Sequence, residues 1–324
     1  MTKHLYNFSS YIEQELTQLN ANLQKMIIAE HPILHAAAEQ LFSAGGKRIR
    51  PAIVLMVSEI TAPENTITNE QKRLAEITEI IHTASLVHDD VIDNCETRRG
   101  IHTVHNVFNN KIAILAGDFL FAQSSWYLAN LQNLEVVKTI SKVITDFAEG
   151  EVQQGVKSFN PQISIEDYIE KSFYKTASLI ASSCKATTIL STCHTDVQND
   201  FYLYGKHVGL AFQIIDDILD ITSSKENLGK PVGLDLKNGN LTAPLIFALE
   251  EKPELYQLIS QEFQNLTDIN KAIKIIKNTH AIQKSKDLAQ EHIQLAIQIL
   301  REQYSSKKIE NLLSTTYYII ERIN

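Results

Sequence analysis

The sequence predicts an all-α protein, and three observations carry that expectation. Proline and glycine are sparse, seven and eleven in 324 residues, and they fall between long stretches of 3.6-residue hydrophobic period. Pro32, Pro51, Pro161, Pro244 and Pro253 each stand at the start of such a stretch, where a missing N–H and a fixed φ suit the first helical turn. No alternating run of β-branched residues bounded by turn dipeptides marks a sheet.

Taken in order, the periodic stretches place helices over 5–30, 33–44, 51–60, 70–94, 111–130, 133–157, 164–193, 197–222 and 242–251. The first carries Glu13 and Glu15 on the polar side of an amphipathic pattern. Several more fill 254–323, including the stripe Leu288, Ile293, Ile297 and Leu300. Loops are left at 61–69, 95–110, 158–163 and 222–241. The first and third are ordinary polar connections; the second and fourth are rich in charge and glycine. No linker, repeat or low-complexity tract divides the chain, so residues 1–324 read as one large helical domain.

Composition narrows the function. A chain 44% hydrophobic can bury a core of its own and is not a disordered one. A net charge of −8 without a basic stripe argues against nucleic-acid binding. No apolar run approaches the roughly 20 residues that span a bilayer, and the N-terminus lacks the apolar segment of a secretory signal. The three cysteines, Cys95, Cys184 and Cys193, form no Cys-x-x-Cys pair and read as free thiols in a reducing compartment.

Two aspartate clusters break the apolar pattern. Leu86-Val87-His88-Asp89-Asp90-Val91-Ile92-Asp93 and Phe212-Gln213-Ile214-Ile215-Asp216-Asp217-Ile218-Leu219-Asp220 share the form Asp-Asp-x-x-Asp inside helical sequence. Asp89 and Asp93, and likewise Asp216 and Asp220, lie four apart on one helix face, where like charges repel. Apolar surroundings raise the cost of each charge. A divalent cation resolves both problems, and Mg²⁺ takes one or two carboxylates together with substrate phosphates and water. The alternative is a helix end carrying surface acids. Two clusters of one form, each followed by a basic loop, speak against it.

Cations lie near both clusters. Gly45-Gly46-Lys47-Arg48-Ile49-Arg50-Pro51 sets Lys47 and Arg50 at a helix start, a setting suited to an anion. Thr97-Arg98-Arg99-Gly100 follows the first cluster, Lys175-Thr176 opens a further candidate site, and Lys225, Lys230 and Lys237 follow the second cluster. Each alone is a solvated surface charge; together they imply two phosphorylated substrates, at least one held through Mg²⁺.

These segments, in this order, resemble the trans-isoprenyl diphosphate synthases, the polyprenyl synthetase family. The likeness runs through GGKRIRP at 45–51, His82, DDVID at 89–93, RRG at 98–100, GD at 117–118, KT at 175–176, FQIIDDILD at 212–220 and GKPVGLDL at 229–236. It implies an all-α bundle around a deep central cavity, a homodimer, and 1′-4 condensation of an allylic diphosphate with isopentenyl diphosphate. It assigns Asp89, Asp93 and Asp216, supported by Asp90, Asp217 and Asp220, to two or three Mg²⁺ ions on the allylic diphosphate. Arg98, Lys175 and Lys230 would contact that diphosphate, and Lys47, Arg50, His82 and Arg99 would hold isopentenyl diphosphate. Thr176 and Gln213 would present oxygens to the allylic cation. The family often carries a lysine near position 240; this chain has Asn240, with Lys237 the candidate substitute, and His102 stands where proline is common. His88, Cys95 and Trp126 read as packing.

Product length follows from helix geometry. The growing tail would run past Ser85, Ala84 and Ile81, which are four, five and eight residues before Asp89. Short-chain members of the family close the cavity with aromatics at the first two of these positions. Ala84 and Ser85 are small, so a long product of C35 to C50 is expected, with Phe119, Phe121 or Trp126 as candidates for the floor. GDFLFAQSSWYLANL resembles the solanesyl synthases of cyanobacteria and plastids, which make the plastoquinone side chain. That likeness places the protein in a plastid stroma if plastid-encoded, otherwise in a bacterial cytoplasm, with at most transient membrane contact. A C15 or C20 synthase, a terpene cyclase and a silent subunit of a heteromeric synthase are the competitors. Small residues before Asp89, the Lys47, Arg50 and His82 set, and two complete aspartate clusters speak against them in turn.

Overall fold

The computed structural model describes residues 10–43, 45–62, 66–98, 100–223 and 232–322. It is built of helices: α1 (Ser10–Met26), α2 (Pro32–Ser43), α3 (Ile49–Thr61), α4 (Asn69–Ile92), α5 (Val104–Val107), α6 (Asn110–Ala129), α7 (Leu134–Val156), α8 (Ile165–Ser172), α9 (Ser178–Leu190), α10 (Thr195–Thr222), α11 (Leu234–Lys237), α12 (Ala243–Glu251), α13 (Glu254–Ser260), α14 (Leu266–Lys277), α15 (Ala281–Gln303) and α16 (Ser306–Glu321). The expected helices are present among the described residues; residues 5–9 of the first lie outside them and that helix ends at Met26 rather than at 30, and there are three further departures. The loop at 95–110 holds a small antiparallel hairpin, β1 (Thr97–Arg98) with β2 (Ile101–His102), and then α5. The stretch expected as one helix over 164–193 is α8, a π-helical turn at Phe173–Ala177, and α9. The loop after α10 contains α11.

The chain forms two compact units. One comprises Met1–Ile144, Leu179–Gly205 and Ile299–Thr315; the other comprises Thr145–Ser178, Lys206–Gln298 and Thr316–Asn324. In the first, α3 is buried almost all round, and α4 buries Leu74, Ile77, Ile80, Ile81, Ala84 and Val87. Thr68 caps α4 through a reciprocal bond with Gln71. Two polar pairs are matched inside this core: Thr78 Oγ1 meets Ser183 Oγ at 3.0 Å, and Gln71 Nε2 donates to Ser191 Oγ at 2.7 Å.

The apolar α6 packs one stripe against α4, with Ala113, Ala116, Gly117, Leu120, Ser124 and Leu128 buried. Contrary to the sequence expectation, this helix is long and apolar enough to cross a membrane by length and composition alone, with a mean hydropathy of 1.2. Its opposite side exposes Ile114, Leu115 and Trp126, so Trp126, 62% exposed, does not pack in the core as expected.

In the second unit, Ser164 caps α8 through a reciprocal bond with Asp167. His207 on α10 and His292 on α15 face each other with their Nδ1 atoms 3.0 Å apart. Burial lowers both to about 4, His292 and Lys206 adding to the effect on His207, and Lys206 to that on His292. One imidazole accepts from the other, so protonating the acceptor breaks the bond. Because the folded pKa values lie below the unfolded value of about 6.5, the unfolded chain binds more protons between these limits. Stability present above pH 6.5 is therefore expected to decline as the pH falls toward 4. Melting midpoints across that range should fall more steeply for the native chain than for His207→Gln/His292→Gln.

Candidate active site

Each aspartate cluster sits in the last turns of a helix, the worst end for anions. Asp89 and Asp90 close α4 and Asp93 is its C-cap, while Asp216, Asp217 and Asp220 lie in the final two turns of α10. The partial negative charge of the helix carbonyls adds to the repulsion among the three carboxylates of each cluster. Asp90, Asp217 and Asp220 are also buried. Such sites are incomplete without positive charge.

In the first unit that charge comes partly from the hairpin. Gly100 turns it with a φ of 81°, and β1 brings Arg98 back to the end of α4. Arg98 donates through Nε and Nη2, both at 2.7 Å, to Asp90 Oδ1. Burial works against this guanidinium, yet the bond and the charges of Asp90 and Asp89 hold its pKa above the usual value. Thr103 Oγ1 donates to the Cys95 carbonyl at 2.7 Å and fixes the loop. His88 lies over Gly117, where a Cβ would stand 2.2 Å from the ring, and touches the Ile114 carbonyl.

The Lys47 to Pro51 segment meets α4 nearby in the chain's own first unit. Arg50 Nη1 lies 3.1 Å from His82 Nε2, so two residues expected to share a substrate are brought together; Lys47 is exposed. Between them Arg48 adopts a left-handed backbone, φ 49° and ψ 37°, and turns inward. It pairs with Glu79, bonds Asn20 Oδ1 at 3.0 Å, and lies over the Phe42 ring. Ser85 is half-buried and donates to the His82 carbonyl at 2.9 Å, whereas Ala84 and Ile81 are fully buried.

The second unit gathers a polar network around Asp217. Thr176 Oγ1 donates to Gln213 Oε1 at 2.6 Å, and Gln213 Nε2 donates to Asp217 Oδ1 at 2.8 Å. Tyr168 OH donates to Asp217 Oδ2 at 2.6 Å. Burial, with Asp235 beside it, pushes the Asp217 carboxyl above the usual range; Tyr168, Lys171 and Gln213 act in the other direction. Lys175 pairs with Glu151, and Asp216 with Arg322, which also stacks on Phe212. Gly209 lets this network form: a Cβ there would stand 2.5 Å from the Ala177 Cα, the last residue of the π turn. Gly209→Ala is expected to cost about 1–3 kcal/mol through that clash, measurable by urea unfolding, and to loosen Thr176 from Gln213.

The donor sets suit a hard divalent cation. Among the described residues no three His, Cys, Asp or Glu side chains converge into a closed cage. Mg²⁺ does not need one, because it keeps waters and takes substrate oxygens beside one or two carboxylates.

A sequence profile of the polyprenyl synthetase family matches residues 31–276. The chain belongs to that family. A prenyl transferase of Porphyra purpurea is 59% identical over 313 residues, 97% of each chain. The chloroplastic solanesyl-diphosphate synthase 2 of Oryza sativa subsp. japonica is 48% identical over 97% of this chain and 78% of its own. Among solved structures, heptaprenyl diphosphate synthase from Staphylococcus aureus superposes with a TM-score of 0.92 at 32% identity, covering 97% and 99% of the two chains. A polyprenyl synthase from Caulobacter crescentus, complexed with calcium and isoprenyl diphosphate, gives 0.90 at 28% identity over 96% and 95%.

Polyprenyl synthetase motifs led to most of these side chains, but not to all. Arg99, Lys225 and Lys230 lie outside the described residues. At Asn240 the neighbouring cation is Lys171, not Lys237, which is exposed at the end of α11. Sequence reasoning missed Arg48, Glu79, Tyr168, Lys171 and Arg322. Nothing in the sequence flagged Lys171, because Glu166, Asp167, Glu170 and Ser172 around it give it the look of an ordinary surface charge.

Proposed function

We propose that this polyprenyl synthetase condenses isopentenyl diphosphate with an allylic diphosphate, 1′-4 and trans, up to nonaprenyl (solanesyl) diphosphate for a plastoquinone side chain. The observation that carries the reading is the pair of three-carboxylate clusters at helix C-termini. Asp89, Asp90, Asp93, Asp216, Asp217 and Asp220 would hold two or three Mg²⁺ ions, whose Lewis acidity assists departure of the allylic diphosphate. Arg98, Lys175 and Lys230 are assigned to that diphosphate and neutralise the charge it gains on leaving. Lys47, Arg50, His82 and Arg99 are assigned to isopentenyl diphosphate. Thr176 and Gln213 present oxygens to the allylic cation. The C1–O bond of the allylic substrate breaks, the isopentenyl double bond supplies the electrons of the new C–C bond, and a proton leaves to the released diphosphate. No protein nucleophile is assigned.

The likeness to the Oryza enzyme supports the nonaprenyl product, as do small Ala84 and Ser85 ahead of Asp89. The exposed apolar side of α6 supports a homodimer. The family profile runs through both compact units, which supports one catalytic domain over 1–324. Chloroplastic relatives support a plastid stroma for a plastid-encoded chain, otherwise a bacterial cytoplasm.

Purified protein, Mg²⁺, labelled isopentenyl diphosphate and a farnesyl or geranylgeranyl primer test this directly. Products ending near nine isoprene units are expected, with incorporation lost in EDTA. A stop at C15 or C20 would sink the long-chain reading. Ser85→Phe is expected to shorten the product by several units as its ring fills the path of the tail; an unchanged product would remove Ser85 from the length determinants.

A further inference from the structure

Lys171 is a buried ammonium on α8, with 7% of its surface exposed. An ammonium in that setting is costly, and a well-packed apolar side chain of similar volume would serve folding as well or better. Its surroundings are specific. The Nζ meets Asn240 Oδ1, lies 3.5 Å from the Leu241 carbonyl oxygen and 5.5 Å from the centre of the Tyr168 ring. Asn240 in turn donates through Nδ2 to Asp235 Oδ1 at 3.0 Å. Lys171 therefore stands in the field of Asp217 and Asp235 while Tyr168, three residues earlier on the same face, donates to Asp217.

Helix register explains how one face of this segment reaches α10 twice. Tyr168 bonds Asp217 and Thr176 bonds Gln213, and these partners lie four apart on one face of α10. Eight residues of regular α-helix overshoot two turns by about 80°. The extra residue accommodated by the π turn at Phe173–Ala177 takes back roughly that rotation. Tyr168 and Thr176 consequently face α10 together.

We propose that Tyr168 and Lys171 are positioning residues for the second aspartate cluster: Tyr168 fixes the Asp217 carboxylate, and Lys171, seated on Asn240 and lying over the Tyr168 ring, holds that tyrosine and its positive charge beside the cluster. This rests on the second cluster binding metal, as proposed above. Partners of this kind around ligating carboxylates typically change metal affinity about 10–100-fold when removed.

The test uses the full chain, with Mn²⁺ binding in the presence of inorganic diphosphate followed by EPR, beside KM values for both substrates. Lys171→Met is expected to weaken Mn²⁺ binding by about 10–100-fold and to raise KM for the allylic diphosphate more than for isopentenyl diphosphate. Tyr168→Phe, nearly isosteric, is expected to shift both in the same direction and carries the test if Lys171→Met does not fold. Asn240→Lys added to Lys171→Met returns an ammonium to the same place and is expected to restore Mn²⁺ affinity. Native Mn²⁺ affinity in Tyr168→Phe and Lys171→Met would overturn the proposal, as would weakened binding that Asn240→Lys leaves unrestored. Mg²⁺-dependent product formation by the unmodified chain separately decides the enzymatic reading.

Discussion

Asp89→Asn is expected to lower Mg²⁺-dependent incorporation of isopentenyl diphosphate by about 10²–10³-fold, the scale on which preorganised electrostatic stabilisation is lost. The same substitution should leave the melting midpoint of the metal-free protein unchanged or slightly raised. Asp89, Asp90 and Asp93 crowd the negative end of α4, so removing one charge there relieves repulsion. Opposite movements of activity and stability distinguish a site from a structural carboxylate, whose loss would lower both. Steady-state rates and thermal melts in EDTA give the two readouts. Activity within a factor of about three of native would remove Asp89 from the metal ligands.

Glu79→Gln has the second large effect, this time on folding. The Arg48 and Glu79 side chains are 8% and 4% exposed, and breaking a buried pair by removing one partner leaves an uncompensated charge. The expected loss is about 3–5 kcal/mol, read as a lower urea midpoint. Arg48→Met/Glu79→Leu, which removes both charges, should recover most of it. The pair anchors the Arg48 side chain, the backbone of Arg48 is left-handed, and Lys47 lies one residue before it and Arg50 two after. In the recovered double variant, KM for isopentenyl diphosphate is expected to rise while KM for the allylic diphosphate stays near native. Equal changes in both would show that the clamp does not act on Lys47 and Arg50.

The all-helical architecture and the two aspartate clusters were legible because their signals are local. Hydrophobic period, proline position and an Asp-Asp-x-x-Asp inside apolar sequence need no knowledge of distant residues. The β1–β2 hairpin was not legible, since strands of two residues show no alternation. The π turn escaped for a related reason: one extra residue barely disturbs a periodicity read over 30 positions. Arg48 with Glu79, Lys171 with Asn240 and Arg322 with Asp216 were invisible because they join residues far apart in sequence. Chemistry pointed to the candidate ligands, but only the fold shows which side chains surround them.

The π turn also restricts how this chain can change over time. Tyr168 and Thr176 reach α10 together only because the interval between them has the length it has. Deleting one residue between them would swing Tyr168 about 100° away from Asp217, and inserting one would swing it as far the other way. Side chains within the interval can drift, yet its residue count cannot, so tolerance of substitution and tolerance of insertion part company in this segment.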